Sequence, residues 1–160
     1  MEFINYDGTI PATEWIKLII PIMREGYGLR ICPKGGSMIP FLVGGRDEAV
    51  ISIPSSDFHL KKNDIVLYQI ANGIHVLHRI CRINEKGIYT LGDSQLQIEG
   101  PLQREDIIAV ADYIIRKGKK IERTNLQYNI LASIWRWLRP FRRVIMNVYT
   151  RLFVRHSLKK

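Results

Sequence analysis

Six short apolar segments, separated by residues that favour turns, lie between positions 29 and 116 and constrain the fold most strongly. Each has the length and the β-branched content of a strand. They follow one another at intervals of roughly ten residues, which leaves no room for helices between them. The pattern predicts a mainly β fold, a coiled antiparallel β-domain. The segments are LRICP, EAVISIP, DIVLYQI, IHVLHRICRI, IYTLGD and DIIAVADYIIR.

The turn between the third and fourth segments carries the strongest local signal. Asn72-Gly73 separates DIVLYQI from IHVLHRI. Both central residues of a type I′ turn need positive φ, which Asn and Gly tolerate best. The sequence therefore predicts a β-hairpin with a type I′ turn at this point.

Helical patterns flank the β-region on both sides. Residues 13–25, TEWIKLIIPIMRE, predict a helix with Thr13 as a possible N-cap and a kink or early stop at Pro21. From residue 125 to residue 154, apolar residues recur at helical spacing, and Pro140 is expected to bend or divide that helix. The chain thus divides into a helical lead-in (1–27), a β-domain (28–120) and a basic amphipathic helical tail (121–160). The apolar stripe of the tail is Ile130, Ile134, Leu138, Phe141, Ile145, Val148 and Leu152.

The net charge of +9 is concentrated at the C-terminal end of the chain. Residues 116–160 contain 13 Lys or Arg and one acid, Glu122, whereas residues 1–115 contain 11 Lys or Arg and 14 acids. Such a basic segment is expected to bind phosphate groups, in nucleic acid or at a membrane surface.

Three partners for residues 125–160 are compatible with this charge. The helix could pack its apolar stripe on the β-domain and leave a solvated basic face. It could bind nucleic acid, but its aromatic residues share the apolar stripe and no helix-turn-helix precedes the β-region. An anionic membrane surface fits best, with Trp and Phe at the headgroup level and Arg toward the lipid charge.

Cellular location is constrained by what the sequence does not carry. Two cysteines, Cys32 and Cys81, make no disulfide framework, and no signal peptide is recognisable. The apolar run Trp15–Met23 is too short to span a bilayer. The expected location is cytoplasmic, at the inner face of the membrane.

Three polar residues on neighbouring segments could form a catalytic group. Ser37 follows Gly35 and Gly36, His78 lies in the strand HVLHRI, and Asp93 ends the strand YTLGD, whose hairpin with HVLHRI could bring it beside His78. Taken singly, each has an ordinary structural explanation as a turn or a core residue.

Taken in order, the segments resemble the signal peptidase superfamily of serine peptidases, which includes the self-cleaving SOS repressors. The matching segments are GGSMIPFLVGGRDEAV, LKKNDIVLYQ, VLHRI, YTLGDSQ and EDIIAVADYIIRKGK, within residues 28–120. At the position of the general base, this sequence has His78 followed by Arg79. In this respect it resembles the branch of the superfamily that has His where the leader peptidases have Lys. The resemblance implies a signal-peptidase-type β-domain and a serine endopeptidase that cleaves leader, signal or propeptides.

The resemblance also implies roles for individual residues. Ser37 is the nucleophile, His78 the general base and Asp93 the acid that orients it, and no cofactor is needed. The backbone N–H of Ser37 would bind the oxyanion, together with a donor from Gly35 or Gly36. Met38 and Pro40 would shape the edge that binds substrate, and the family prefers a small residue before the cleaved bond. Asp47 and Asp64 match turn positions at which the carboxylate bonds to backbone N–H groups.

Two positions depart from the family pattern. Asn63 replaces a usual glycine, although Asn also tolerates positive φ. The usual acid downstream of the Gly-Asp box is missing, and Glu99 is the nearest candidate.

The same residues allow two alternatives to the interpretation as a peptidase. The spacing His75, His78, Cys81 would suggest a metal site in a helix, but a strand directs His78 away from the other two. A non-catalytic peptide-binding or regulatory module that kept the peptidase fold is the alternative function.

Overall fold

The computed structural model of the protein describes residues 3–5 and 12–149. These residues form a sheet of nine strands with three α-helices and two short 3₁₀-helices, at Arg104–Asp106 and Arg139–Phe141. The strands are β1 (Phe3–Asn5), β2 (Gly28–Ile31), β3 (Glu48–Ser52), β4 (Ile65–Gln69), β5 (His75–Asn84), β6 (Gly87–Leu91), β7 (Glu99–Leu102), β8 (Ile107–Arg116) and β9 (Lys119–Glu122). The helices are α1 (Ala12–Arg24), α2 (Leu126–Trp137) and α3 (Arg142–Tyr149).

The sheet runs in the order β1-β2-β3-β8-β4-β5-β6-β7, with β9 paired to β8. All described pairs are antiparallel except β1 with β2. Because successive strand residues face opposite sides, the sheet buries two clusters of side chains. The larger cluster includes Leu29, Leu67 and Leu77, and the smaller one includes Val66 and Ile80.

The mainly β fold predicted from the sequence is confirmed. Each of the six apolar segments contains one strand, from β2 to β6 and β8. Three short strands carry no apolar pattern that would reveal them. β1 and β7 are three and four residues long, and β9 is the basic segment KKIE, which pairs back onto β8.

The predicted hairpin between β4 and β5 is present, but the predicted turn type is wrong. Gln69 pairs with His75, and the Ile70 N–H bonds to the Ile74 carbonyl, so the loop contains three residues rather than two. Only Gly73 has positive φ, at 82°. The Asn72 side chain instead accepts a hydrogen bond from the Ile74 N–H. An Asn side chain can cap a three-residue loop as well as form part of a type I′ turn. The Asn-Gly dipeptide alone therefore does not exclude the longer loop.

The N-terminal helix is continuous and belongs to the core of the β-domain. α1 begins at Ala12, so Thr13 lies inside it, and it passes through Pro21. Ile16, Ile19 and Met23 pack into the larger cluster. β1 pairs with β2, so residues 3–5 extend the same sheet.

The tail divides at Pro140 as predicted, but four residues of its apolar stripe are at least half exposed: Ile130, Ile134, Phe141 and Val148. α2 ends at Trp137, a 3₁₀ turn contains Pro140, and α3 begins at Arg142. Ile134 is 51% exposed and Trp137 is 79% exposed. The helix packs through another face, where Ala132 is buried. Arg142, at the start of α3, is also buried. Leu152 of the predicted stripe lies outside the described residues.

None of the helices in the described part of the chain has both the length and the hydrophobicity needed to cross a lipid bilayer.

Candidate functional site

Ser37 lies in a compact turn that we call the Ser37 turn, Gly35–Leu42. Its backbone closes on itself through hydrogen bonds from the Ile39 N–H to the Gly36 carbonyl and from the Leu42 N–H to the Met38 carbonyl. Met38 is buried in the larger cluster and anchors the turn. No hydrogen bond among the described residues uses the Ser37 N–H, so this donor remains open for a ligand.

The segment that follows β6 holds the Ser37 turn from one side. We call residues 92–95 the Gly-Asp loop. The Ser94 N–H donates to the Ser37 carbonyl at 2.8 Å, and the Ser94 hydroxyl lies 2.9 Å from the Gly36 carbonyl oxygen and 3.1 Å from that of Ser37. Only glycine fits at position 92, because a Cβ there would lie 2.8 Å from the Ser37 carbonyl oxygen. The Ser37 turn and the Gly-Asp loop are therefore in backbone contact.

His78 projects from β5 into a buried polar group. Its Nδ1 lies 3.1 Å from the Tyr68 hydroxyl and 3.2 Å from Glu99 Oε2, and only 2% of the residue is exposed. The Tyr68 hydroxyl also contacts Thr90 and Glu99. Burial lowers the pKa of His78 below its ordinary 6.5, and Glu99 opposes this effect in part. Burial thus favours the neutral form of the imidazole, and Nε2 is the ring nitrogen that these contacts do not use.

Asp93 has a different partner from the one that the sequence predicted. Its two carboxylate oxygens accept hydrogen bonds from the guanidinium of Arg79, at 2.9 Å from Nε and 2.8 Å from Nη2. Both residues are buried. Arg79 also donates to the Asn63 carbonyl and lies over the ring of Phe41, in the Ser37 turn. The orienting role predicted for Asp93 is corrected accordingly: Asp93 joins strand β5 to the Ser37 turn through Arg79.

Glu99 is the acid that contacts the imidazole. Thr90 on β6 is opposite both Ile80 on β5 and Glu99 on β7, so these residues share a neighbourhood with His78. Arg79 faces the other side of β5, which explains why the two neighbouring residues bind different acids. The sequence offered Glu99 only as the nearest downstream acid. The pairing of the short strand β7, which no pattern predicted, brings it to His78.

The backbones at Ser37 and His78 come close to each other, although the His78 side chain lies on the face of β5 opposite the cavity that Ser37 borders. Arg79 pairs with Leu91, so His78 and Gly92 are the next residues along the two antiparallel strands, and Gly92 touches the Ser37 carbonyl. The described residues show no hydrogen bond between the Ser37 hydroxyl and the imidazole. Such bonds are often long in the absence of substrate and shorten when it binds.

A cavity of about 260 Å³ opens beside Ser37. Most of its lining is apolar, and it lies between the segment that leads from β2 to the Ser37 turn and the first residues of β5. His75 is the titratable side chain from β5, and burial lowers its pKa, with a further contribution from Lys17. The other lining residues that matter here are Ile16, Ile31, Met38, Leu67 and Leu77.

The edge of β5 next to this cavity is open. β4 pairs with one edge of β5 along His75–Arg79, whereas β6 pairs with the other edge only from Arg79 onward. No described strand covers His75–Leu77 on that side. An extended peptide could add there as a strand, with its side chain in the cavity and its backbone near Ser37.

The suggested metal pattern does not converge. His75 lines the cavity, whereas His78 contacts Tyr68 on the opposite face of β5. The strand period explains this separation.

The residues predicted to shape turns do so. Asp47 accepts a hydrogen bond from the Val43 N–H at 2.9 Å, and Asp64 accepts one from the Lys61 N–H at 2.8 Å. Asn63 has φ of 74°, as expected of an asparagine at a position where glycine is usual. Pro40, which was expected to shape the substrate edge, lies in the Ser37 turn after a cis peptide bond.

Comparison with known proteins found no family model that matches this chain and no curated protein that matches it.

Proposed function

We propose that the protein is a serine endopeptidase that cleaves a leader, signal or propeptide through an acyl-enzyme. The observation that carries the proposal is the position of Ser37. Its turn borders an apolar cavity and an open strand edge, and no hydrogen bond among the described residues uses its backbone N–H. Through the Gly-Asp loop, the same turn is connected to the position opposite His78 on the neighbouring strand. The family resemblance of residues 28–120 supports the same function.

The proposed chemistry uses only residues of this chain. The Ser37 Oγ attacks the peptide carbonyl carbon while His78 Nε2 accepts the hydroxyl proton. The Ser37 N–H donates to the resulting oxyanion. The C–N bond then breaks, His78 returns the proton to the leaving amine, and water hydrolyses the acyl-enzyme by the same route in reverse order.

In the proposed site, Glu99 has the orienting role that the family resemblance implied for Asp93. A carboxylate on Nδ1 fixes the ring so that Nε2 faces the reaction, and it stabilises the imidazolium that forms. The Tyr68 hydroxyl lies within hydrogen-bond distance of the same nitrogen. Burial and the neighbouring Glu99 raise the pKa of the Tyr68 hydroxyl, so it stays protonated and donates to Glu99.

The cavity favours a bulky apolar side chain in the substrate over the small residue that the family prefers. An apolar cavity of about 150 Å³ already accommodates a benzene ring. The cavity beside Ser37 is larger, at about 260 Å³, and its lining is mostly apolar. A Leu, Met or Phe side chain near the cleaved bond would fill it.

We also propose that the tail holds the enzyme at an anionic membrane surface, on the cytoplasmic face. The outer face of the tail, defined as Leu126, Ile130, Ile134, Trp137 and Phe141, is exposed although it is apolar. Arg136, Arg139 and Arg143 line a shallow depression beside Trp137. An apolar face with an aromatic residue and adjacent arginines is suited to the headgroup region.

The decisive experiment for the peptidase proposal is acylation of the folded protein by a fluorophosphonate probe. We expect an adduct on Ser37 that is lost in Ser37→Ala and strongly slowed in His78→Ala. Ser56→Ala, which removes an exposed serine, should react like the parent. Equal labelling of the parent and Ser37→Ala would contradict the proposal. Peptide binding without any cleavage would favour the alternative, a non-catalytic peptide-binding module.

A further inference from the structure

The tail reaches the Gly-Asp loop through a buried arginine. Arg142 is 1% exposed, and its Nη1 donates to the carbonyl of Gln95 at 2.6 Å and to that of Gly92 at 3.2 Å. Its Nη2 donates to the Trp135 carbonyl. Burial lowers the pKa of Arg142, because a desolvated guanidinium loses hydration. A cation placed here is stabilised by these carbonyls, so its position relative to the loop is closely defined.

A second side chain of the tail, that of Trp135, forms a hydrogen bond with the same loop. The indole Nε1–H of Trp135 donates to the Asp93 carbonyl at 2.6 Å. The indole also meets the ring of Phe41 edge-on, at 6.4 Å between centroids, and lies beside the Arg142 guanidinium. Three carbonyls of the Gly-Asp loop therefore accept hydrogen bonds from the tail.

The loop in turn holds the backbone on both sides of the Ser37 Cα. Ser94 bonds the Ser37 carbonyl through its N–H, and its hydroxyl contacts the carbonyls of Gly36 and Ser37. A continuous series of hydrogen bonds thus runs from Arg142 and Trp135, through Ser94, to the residue that we propose as the nucleophile.

We propose that Arg142 and Trp135 are positioning residues, which hold the Gly-Asp loop so that Ser37 is correctly placed toward the bound peptide. This inference rests on the proposed peptidase function. A displacement of about 1 Å in a reacting group can cost on the order of a hundredfold in rate. The tail then has two distinct sides: its outer face is available to a membrane, and its inner face supports the site.

The test compares Trp135→Phe and Arg142→Lys with a matched control, Arg24→Lys, which alters an exposed arginine of α1. Trp135→Phe keeps an aromatic side chain and removes the N–H donor together with part of the indole ring system. We expect each tail variant to lower kcat and the rate of Ser37 acylation about tenfold or more, with little change in KM, because only the placement of the nucleophile changes. Arg24→Lys should match the parent.

Amide hydrogen exchange at Ser94 measures how firmly the tail holds the Gly-Asp loop, independently of catalysis. We expect faster exchange at Ser94 in both tail variants than in the parent and Arg24→Lys, because the loop is less firmly held. If the parent fails to acylate Ser37, the peptidase proposal fails, while the exchange rates still decide the positioning role. Unchanged exchange and unchanged kcat would overturn the inference. A lower urea midpoint with unchanged kcat would also overturn it, since the role would then be only structural.

A double-mutant cycle between Trp135→Phe and Ser94→Ala tests whether the two residues act in series. We expect kcat of the double variant to be close to that of the more impaired single variant. Independent, additive losses would contradict action through Ser94.

Discussion

At the scale of single residues, the site depends on the alternation of β5. His78 and Arg79 are neighbours in sequence but face opposite sides of the strand, so each binds its own acid. Glu99 contacts the imidazole and Asp93 binds the guanidinium bidentately. Glu99 therefore acts on His78 by direct contact, whereas Asp93 binds Arg79 and raises the pKa of His78 only through its charge.

The buried environment of His78 predicts the pH dependence of activity. Burial lowers its pKa, so we expect kcat/KM to fall on the acid side only below pH 6.5. Glu99 raises the pKa of His78, so Glu99→Gln should lower that pKa further and move the titration to lower pH. The pH dependence of the ring-proton NMR shift of His78 measures this pKa. Glu85→Gln, an exposed acid, should leave the titration unchanged, and an upward shift in Glu99→Gln would contradict the assignment.

The Arg79–Asp93 pair predicts a large change in stability. Both side chains are 3% exposed, and Asp93→Asn leaves a buried guanidinium without its counter-charge. We expect a loss of about 3–5 kcal/mol in the free energy of unfolding, measured by urea denaturation. The exposed pair Lys120–Glu122 provides the control, because Glu122→Gln should change stability far less. A similar loss in both variants would show that burial of the pair is not the cause.

At the scale of elements, the tail carries its apolar residues on two faces with different neighbours. Tyr128 and Trp135 turn inward, where Tyr128 bonds Arg79 and Trp135 bonds the Gly-Asp loop. The outer face remains exposed. The described part of the tail is therefore packed on the β-domain through one face and presents an exposed apolar face on another.

The outer face predicts binding to anionic vesicles. Substitution of Trp137 or Ile134 by Ser removes an exposed apolar side chain without touching the inner face. Burial of such a side chain is worth about 1.5–3 kcal/mol, so we expect the affinity for phosphatidylglycerol vesicles, measured by sedimentation, to fall about tenfold or more. Gln127→Ser, which changes an exposed polar residue of α2, is the control. Binding that is unaffected by either substitution would contradict the membrane proposal, and salt-dependent DNA binding instead would favour nucleic acid.

At the scale of the whole molecule, elements distant in sequence build the cavity together. Ile16 comes from α1, Ile31 from β2 and Leu77 from β5, and Ser37 lies at their border. The N-terminal lead-in, the β-domain and the tail all contribute to the candidate site, since α1 lines the cavity and Tyr128 of α2 accepts a hydrogen bond from Arg79.

The cavity predicts substrate preference. In a peptide series that varies the residues before the cleaved bond, we expect kcat/KM to rise about tenfold or more from Ala to Leu or Phe at one position, as apolar burial requires. Leu77→Trp, which would fill the cavity, should reverse this order and favour Ala. A preference for Ala in the parent would contradict the assignment of the cavity as the side-chain pocket.

The sequence by itself determined the β-segments, the break of the tail at Pro140, and the conformation of Asn63. These depend on local periodicity and on backbone preferences, which are properties of neighbouring residues. It also singled out Ser37 and His78, through motif order. Tertiary structure decided which acid meets His78, that Arg142 rather than the apolar stripe is buried, and that the turn at Gly73 contains three residues. Those outcomes depend on strand register and on the packing of distant segments, which place residues such as His78 and Glu99 in contact across 21 positions of the chain.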